Sequence, residues 1–230
     1  MSLAGFAVLA IWNGVKTGTD DDFAAWHVRE HIPERVGLPG FLRGRRYVAV
    51  EGEPKYFNFY ETERIEDLSS SAYLARLDDP TPWTRAVVAS FIDTSRTICH
   101  VEASLGAGDG AAIETFRLQT GLNADQFARN ILDRVAPLTR TASGIVAGHL
   151  LRGDSEASSR PTAEKHLRRG KDEIADWILL LEAIDVPSLF ALRRSPLSDA
   201  ELVSAGVRSD LKRGVYRLQY ALSKSQMAGS

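Results

Sequence analysis

The chain has 230 residues, a formal net charge of −2 and 44% hydrophobic residues. This composition is typical of a globular protein with a buried core, and the near-neutral charge gives no indication of nucleic acid or a membrane surface as partner. The single cysteine, Cys99, excludes an intrachain disulfide and fits a reducing compartment. The apolar stretch over 5–12 is too short to span a bilayer and lacks the basic start of a signal peptide, so we expect a cytoplasmic protein.

The first half of the chain predicts the element order βαββαβ. The predicted elements are a strand over 5–12, a helix over 19–36, strands over 41–52 and 55–63, a helix over 65–76, a short helical stretch after 83 and a strand over 97–105. Thr19 and the three aspartates after it are typical of a helix N-cap and an acidic first turn. This order is that of the ferredoxin-like supersecondary unit.

The same order of elements restarts after the linker-like stretch GAGDG over 106–110. Strands are predicted over 111–120, 143–153, 172–185 and 214–224, a long helix over 123–138, and helical pieces over 187–194 and 199–205. A polar insertion over about 153–173 separates two of these strands, and its composition favours a mobile loop. The basic run over 165–169 lies in it without interleaved aromatics, which favours a solvated segment over a nucleic-acid surface.

Laying the second half on the first supports a duplication. One offset pairs Phe23 with Phe127, Pro33 with Pro137, Gly40 with Gly144 and Gly44 with Gly148; past the insertion, Glu61 pairs with Glu182. We therefore predict two domains, over 1–106 and 110–230. Each unit has one sheet face without helices, and a sheet must bury its apolar face. The predicted fold class is α+β, with two tandem ferredoxin-like βαββαβ domains packed sheet to sheet within one chain.

A family resemblance rests on the motif F-x-x-W-H-x-x-E-H-x-P over 23–33, followed by L-P-G-F over 38–41 and an arginine-containing strand. These residues resemble the dimeric α/β-barrel superfamily, and within it the branch around the ethyl tert-butyl ether degradation (EthD) proteins. The resemblance implies a barrel formed by an intrachain pseudo-dimer, with further homodimerisation open, and a sheet–helix pocket for a small organic molecule. It implies no single reaction, because the superfamily hosts isomerases, cyclases, cofactor-free monooxygenases and haem enzymes.

The segment His27-x-x-Glu30-His31 has the H-x-x-E-H spacing of inverted zinc peptidases. Such an enzyme needs a third ligand on another helix. Glu102 and Glu114 lie at a suitable distance along the chain, but both fall in predicted strands. We therefore expect no metal site here.

The duplication gives the two histidines another interpretation. His27 pairs with Ile131 and His31 with Val135, so the helix face that carries both imidazoles is apolar in the second half. Buried polar groups are costly unless they are hydrogen-bonded or hydrated. The pattern predicts a polar cavity in the first domain, which is a default candidate for a binding site. The alternative is that both imidazoles are structural residues bonded to a tyrosine or a backbone carbonyl.

Four further residues are candidates for substrate contacts. Tyr60 lies on the polar face of its strand, which lines either a pocket or a hydrated interface between the sheets. Arg45 and Tyr47 share a face of the neighbouring strand, where the guanidinium could hold an anionic oxygen or belong to a solvated stripe. Trp83 follows Thr81-Pro82 and is either a core aromatic or part of a loop over the pocket.

These observations lead to three hypotheses. The first is a small-molecule enzyme without a bound organic cofactor, in which His27 or His31 transfers a proton on a carbonyl-containing or aromatic substrate. Glu30 then orients an imidazole, and Arg45 or Tyr60 stabilises the developing negative charge. The second is a non-catalytic binding protein or sensor for a small molecule. The third is a purely structural barrel without a site.

Overall fold

The structure, a computed structural model, describes residues 2–168, 172–194 and 196–227. These residues contain eight strands. They are β1 (Ala7–Val15), β2 (Phe41–Glu51), β3 (Tyr56–Thr62), β4 (Phe91–Gly106), β5 (Ala112–Leu118), β6 (Ile145–Asp154), β7 (Trp177–Ala183) and β8 (Lys212–Ser223). The strands form one closed barrel in the order β1-β3-β2-β8-β5-β7-β6-β4, and every neighbouring pair is antiparallel.

The barrel consists of one four-stranded sheet from each half of the chain. The first half supplies β2-β3-β1-β4 and the second half β6-β7-β5-β8. The sheets are joined at both edges, where β2 pairs with β8 and β4 with β6. Among the described residues, each of the eight strands therefore has a neighbouring strand on both sides. The prediction of an α+β fold, with two ferredoxin-like units forming an intrachain barrel, is confirmed.

The helices of the described residues lie outside the barrel. They are α1 (Asp20–Trp26), α2 (Ile32–Gly37), α3 (Ser71–Asp78), α4 (Pro82–Val88), α5 (Ala124–Thr141), α6 (Ser155–Ser159), α7 (Ala163–Leu167), α8 (Val186–Leu192), α9 (Asp199–Ser204) and α10 (Lys224–Met227). A π-helical turn, His27–His31, joins α1 to α2 without a break in the helical backbone. A 3-10 turn, Ile65–Ser69, precedes α3. No helix in the described ranges is both long and apolar enough to cross a bilayer.

Side chains alternate between the interior of the barrel and the helices outside. On β3, Phe57 and Phe59 pack inside the barrel with Trp12 and Tyr47 of the neighbouring strands. Tyr60, one residue further on, packs on the opposite face in the core beneath the helices. Because a strand has a side-chain period of two, each strand contributes to both cores.

Two pairs of glycines that the alignment brings together have matching roles. Gly40 and Gly144 precede β2 and β6, and each has a φ of 79°, a conformation that glycine adopts without steric cost. Gly44 and Gly148 lie on the same two strands under the helices. A Cβ atom at Gly44 would lie 3.0 Å from Ile32, and one at Gly148 would lie 2.5 Å from Val135. Glycine therefore lets each helix approach its sheet closely, which supports the pairing of the two halves.

The polar insertion contains more regular structure than a mobile loop. Two short helices, α6 and α7, follow the end of β6, and Glu173 then makes an isolated bridge to Ser95 of β4. Residues 169–171, which include the end of the basic run, lie outside the described residues. The division into domains at 106 and 110 stays a prediction.

Candidate functional site

The two histidines lie side by side on the buried face of the helical run over 20–37. Their ring centroids are 5.4 Å apart with the planes nearly parallel, and the indole of Trp26 stacks on both at 4.9 and 4.1 Å. His27 is 3% exposed and His31 is 6% exposed. The π-helical turn includes both residues, and such turns occur frequently at functional sites. The sequence prediction that both imidazoles face the sheet side of the helix is supported by this burial.

Burial keeps both imidazoles neutral. Removal from water is the largest cause that lowers the pKa of each imidazole well below its ordinary value of 6.5. The positive charges of Arg46 and Arg35 lower the pKa of His27 further, and Arg35 and His27 do so for His31. The Nδ1 atom of each ring is buried and has no hydrogen-bond partner among the described residues. No hydrogen bond joins either imidazole to a tyrosine or a backbone carbonyl among the described residues, although the structural interpretation requires such a bond.

The sheet beneath the histidines adds three more polar side chains. Asn58 and Arg46 are directly paired across β3 and β2, and Tyr60 lies two residues beyond Asn58. All three are at most 5% exposed. The Oδ1 of Asn58, the Nε of Arg46 and the hydroxyl of Tyr60 are without a hydrogen-bond partner in the described part of the chain. We call His27, His31, Arg46, Asn58 and Tyr60 the polar layer.

Aromatic rings enclose the polar layer. Phe23 lies 4.6 Å from the ring of His27 and 4.4 Å from that of Tyr56, and Tyr60 meets His31 edge to face at 6.1 Å. Phe91 packs against Phe23 at 5.7 Å. Apolar walls around a few polar groups are typical of sites for small organic molecules.

Glu30 and Trp83 belong to the rim of the site. The carboxylate of Glu30 accepts hydrogen bonds from the hydroxyls of Thr81 at 2.5 Å and Thr84 at 2.9 Å, at the start of α4. It therefore fixes α4 to the helical run, and neither imidazole is among its hydrogen-bond partners in the described ranges. Trp83 lies on α4 rather than in a loop, and its Nε1 donates to Asp22 at 2.9 Å.

Arg45 and Tyr47 do not join the histidines, because both point into the barrel. Arg45 donates to both oxygens of Glu182 at 2.9 and 3.0 Å and to the hydroxyl of Tyr47 at 3.1 Å. Its Nη2 lies 3.2 Å from Glu61. Burial would raise the pKa of Glu182, but Arg45 and a hydrogen bond from His149 lower it to about 2. This network connects the two halves and serves the barrel rather than the polar layer.

The insertion of the second half covers the site of the first half. Arg35, at the end of the helical run, is 2% exposed and binds Glu164 of α7 at 2.7 Å. Ala163 donates its backbone N–H to Asp78 at the end of α3, and Ser158 accepts from the backbone of Ile98. Burial and the nearby charge of Arg96 lower the pKa of Lys165 to about 8. The second half therefore forms part of the enclosure around the polar layer.

Arg46 is the functional candidate that sequence reasoning missed, and Asn58 lies on the polar face of β3 that the strand period predicts for Tyr60. The register of β2 shifts between Phe41 and Arg43, and this irregularity reverses which side chains face the helices. Phe41 packs against Tyr73 of α3, whereas Arg43 binds Glu61 on the barrel side. Arg46, an even-numbered residue, therefore faces the histidines in place of Arg45.

The two glutamates that are candidates for the third ligand of a zinc peptidase have other partners. Glu102 lies in β4 and binds Arg152, and Glu114 lies in β5 and binds Arg193 and Arg213. Both were expected in strands, and this expectation is confirmed. Among the residues described, no three His, Cys, Asp or Glu side chains come together as a set of metal ligands.

Comparison with solved structures identifies the fold. The chain is similar to an anthrone oxidase-like protein, with a TM-score of 0.63 and 15% identity over 95% of this chain and 93% of that one. It is also similar to candidate monooxygenases from Lactobacillus acidophilus (TM-score 0.60, 8% identity, 95% and 97% covered) and Fusobacterium nucleatum (TM-score 0.58, 12% identity, 96% of both chains covered). No family profile and no curated protein matches the sequence.

The similarity to these neighbours extends over nearly the whole length of both chains. The protein therefore has the fold of the dimeric α/β-barrel superfamily, with both units in one chain, as the motif over 23–33 predicts. The identities are too low for the comparisons to carry more than the fold.

Proposed function

We propose that the polar layer binds a small aromatic or carbonyl-containing molecule and transfers a proton on it, without a bound organic cofactor. The observation that carries this proposal is the set of five unpartnered buried polar atoms, one from each residue of the layer. Most buried polar atoms in folded proteins have a partner, and a cluster that lacks them requires an explanation. A ligand that supplies the missing hydrogen bonds is such an explanation.

The chemistry follows from the charge state of the groups. A neutral imidazole has a lone pair that accepts a proton. When His27 or His31 takes a proton from a carbon next to a carbonyl group, the electron pair of the broken C–H bond forms a C=C bond to the carbonyl carbon, and the π electron pair of the C=O bond moves to the oxygen. The hydroxyl of Tyr60 and the guanidinium of Arg46 can donate to that oxygen as its negative charge develops. Arg46 takes the role that the sequence suggests for Arg45.

The low pKa of the imidazoles is compatible with this step only in the presence of the ligand. A buried imidazolium beside Arg46 is unfavourable by itself, because two positive charges without a carboxylate partner then share a dry site. An enolate oxygen between the imidazolium and Arg46 supplies the compensating negative charge. The transfer therefore depends on ion-pair formation inside the layer.

The test uses acetophenone, an aryl methyl ketone whose methyl protons exchange with D₂O when an enolate forms. We expect the protein to accelerate this exchange, as followed by proton NMR. The double variant H27I/H31V should abolish the acceleration and remain folded, because Ile131 and Val135 occupy the equivalent positions of the second half. The control is H166V, which removes an exposed histidine of α7. Equal exchange by the double variant and the control would refute the assignment.

A non-catalytic binding protein is the second candidate. The burial of the polar layer behind Trp26 and the insertion favours it, because such enclosure holds a ligand without requiring turnover. Binding of acetophenone that depends on both histidines, but without deuterium exchange, would indicate this alternative.

We also propose a cytoplasmic location, which the single buried Cys99 supports. We propose a relation to the EthD-like branch as well, which the motif over 23–33 supports.

A further inference from the structure

Arg46 and Arg96 are buried arginines without a carboxylate partner among the described residues, and of these two only Arg46 has a buried nitrogen without a hydrogen-bond partner. Arg35, Arg45 and Arg168 are each at most 8% exposed, and each lies within 2.9 Å of a carboxylate oxygen. Arg46 is 5% exposed, yet it forms no ion pair with any residue that the structure describes. Its Nη1 donates to the backbone carbonyl of Ala24 at 3.0 Å, and its Nε has no partner.

The surroundings of Arg46 do not compensate its charge. The ring of Phe23 lies 5.9 Å from the guanidinium, and the strand neighbours across β3 and β8 are Asn58 and Tyr220. Besides the imidazole of His27, the titratable groups close enough to influence it are the phenols of Tyr56, Tyr60 and Tyr220, and none of these is a carboxylate. A buried charge without a counter-charge is strongly unfavourable. A folded protein keeps such an arrangement when a ligand supplies the missing charge.

We propose that the ligand of the polar layer is an anion when it binds, an aromatic carboxylate whose carboxylate group pairs with Arg46, so that the hydroxyl of Tyr60 is the donor left for the enolate oxygen of such a ligand. This inference rests on the proposed binding site and names the class of molecule that it accepts. The planar guanidinium matches the geometry of a carboxylate, and its Nε–H is available as a donor to a carboxylate oxygen. A single cation in the layer fits a single negative charge, and the rings of Phe23, Trp26 and Tyr56 fit an aromatic body.

The second half of the chain offers the matching variant. The alignment that pairs Gly44 with Gly148 pairs Arg46 with Leu150, which is fully buried in the apolar core of the second half. The variant R46L therefore places the residue of the second half at the equivalent position of the first. The carbonyl of Ala24 keeps its bond from the backbone N–H of His27, so the substitution leaves no new unpartnered group there. The control R29L removes a positive charge from an exposed position of the same helical run.

The experiment measures binding of benzoate and of benzamide, its neutral analogue, by isothermal titration calorimetry. We expect the wild-type protein and R29L to bind benzoate more tightly than benzamide. R46L should lose about thirtyfold or more in affinity for benzoate, because it leaves a buried anion without its partner, and should lose the preference over benzamide. R46K keeps the charge but not the planar pair of donors, and its affinity should lie between the two.

A second measurement requires no ligand. If Arg46 lacks a counter-charge, its removal stabilises the unliganded protein, and we expect R46L to raise the melting temperature by about 2 °C or more. Unchanged benzoate preference in R46L, or a melting temperature well below that of R29L, would overturn the inference. If H27I/H31V still abolishes exchange of acetophenone in that case, the proposed function stands without the anion. A wild-type protein that binds neither benzoate nor acetophenone would refute both.

Discussion

The two halves of the chain build the same helix-on-sheet arrangement with opposite kinds of side chain. In the second half, α5 buries Phe127, Ile131, Val135 and Leu138 against the sheet, where Leu150, Leu179 and Leu181 complete an apolar core. In the first half, the helical run buries two histidines against a strand pair that carries Arg46, Asn58 and Tyr60.

The difference indicates that the second half contributes more to the stability of the fold, and that the first half is the candidate for binding and catalysis. A fully apolar layer contributes to stability in proportion to the area it buries. Unpartnered polar groups at the equivalent positions reduce stability, and such local conflicts are expected at functional sites. The network of Arg45 with Glu61 and Glu182 then ties the polar half to the apolar half inside the barrel.

Histidines introduced into the second half should give the largest effect. The double variant I131H/V135H copies the first half into a core whose side chains are apolar. Each change loses apolar burial and adds an unpartnered polar group, so we expect a loss of about 6 kcal/mol in the free energy of unfolding. Urea unfolding followed by circular dichroism measures it. A loss below about 2 kcal/mol would show that the apolar core of the second half tolerates polar groups, and would contradict the assignment of different roles to the two halves.

The second largest difference between the polar layer and the apolar core of the second half should be the pH dependence of the free energy of unfolding. Both histidines have a pKa well below 6.5 in the folded protein and about 6.5 in the unfolded chain. The unfolded state therefore binds more protons as the pH falls below 6.5, and folding stability decreases in that range. Two such groups together give a loss of about 3 kcal/mol by about pH 5.5.

The same double variant that tests the function checks this window. Urea unfolding from neutral to mildly acidic pH should show the extra loss in the wild-type protein and in H166V, but not in H27I/H31V. Parallel pH profiles of the wild-type protein and the double variant would contradict the depressed pKa values, and with them the dry, unpartnered state of the imidazoles.

The sequence contains enough to predict the fold and half of the site. The motif over 23–33, the order of elements and the glycine pairs predict the barrel. The substitution of His27 and His31 by Ile131 and Val135 marks the helix face. Each of these signals is local, or repeats at a fixed offset, and needs no three-dimensional information.

The rest of the site depends on contacts and irregularities that no local pattern encodes. The register shift after Phe41 decides that Arg46 and not Arg45 faces the histidines, and a one-residue shift moves a whole set of side chains to the other face. The bond between Arg35 and Glu164 joins residues far apart in the chain. The π-helical turn over His27–His31 has no signal in the local composition of the sequence.

The smallest effect is expected at Trp83, which the sequence analysis places among the substrate contacts. Its indole donates one hydrogen bond to Asp22 at the outer end of α1, and the bond is exposed to solvent. W83F keeps most of the ring and loses that bond, so we expect a change of about 1 kcal/mol or less in the free energy of unfolding. Binding of benzoate should remain within about twofold of wild type, because Trp83 contacts the rim rather than the polar layer. The control D22N weakens the same hydrogen bond from its other side. If W83F weakens binding of benzoate and D22N does not, the indole itself contacts the ligand. The site then extends outward over α4, and the positions that differ between the two halves do not define all of it.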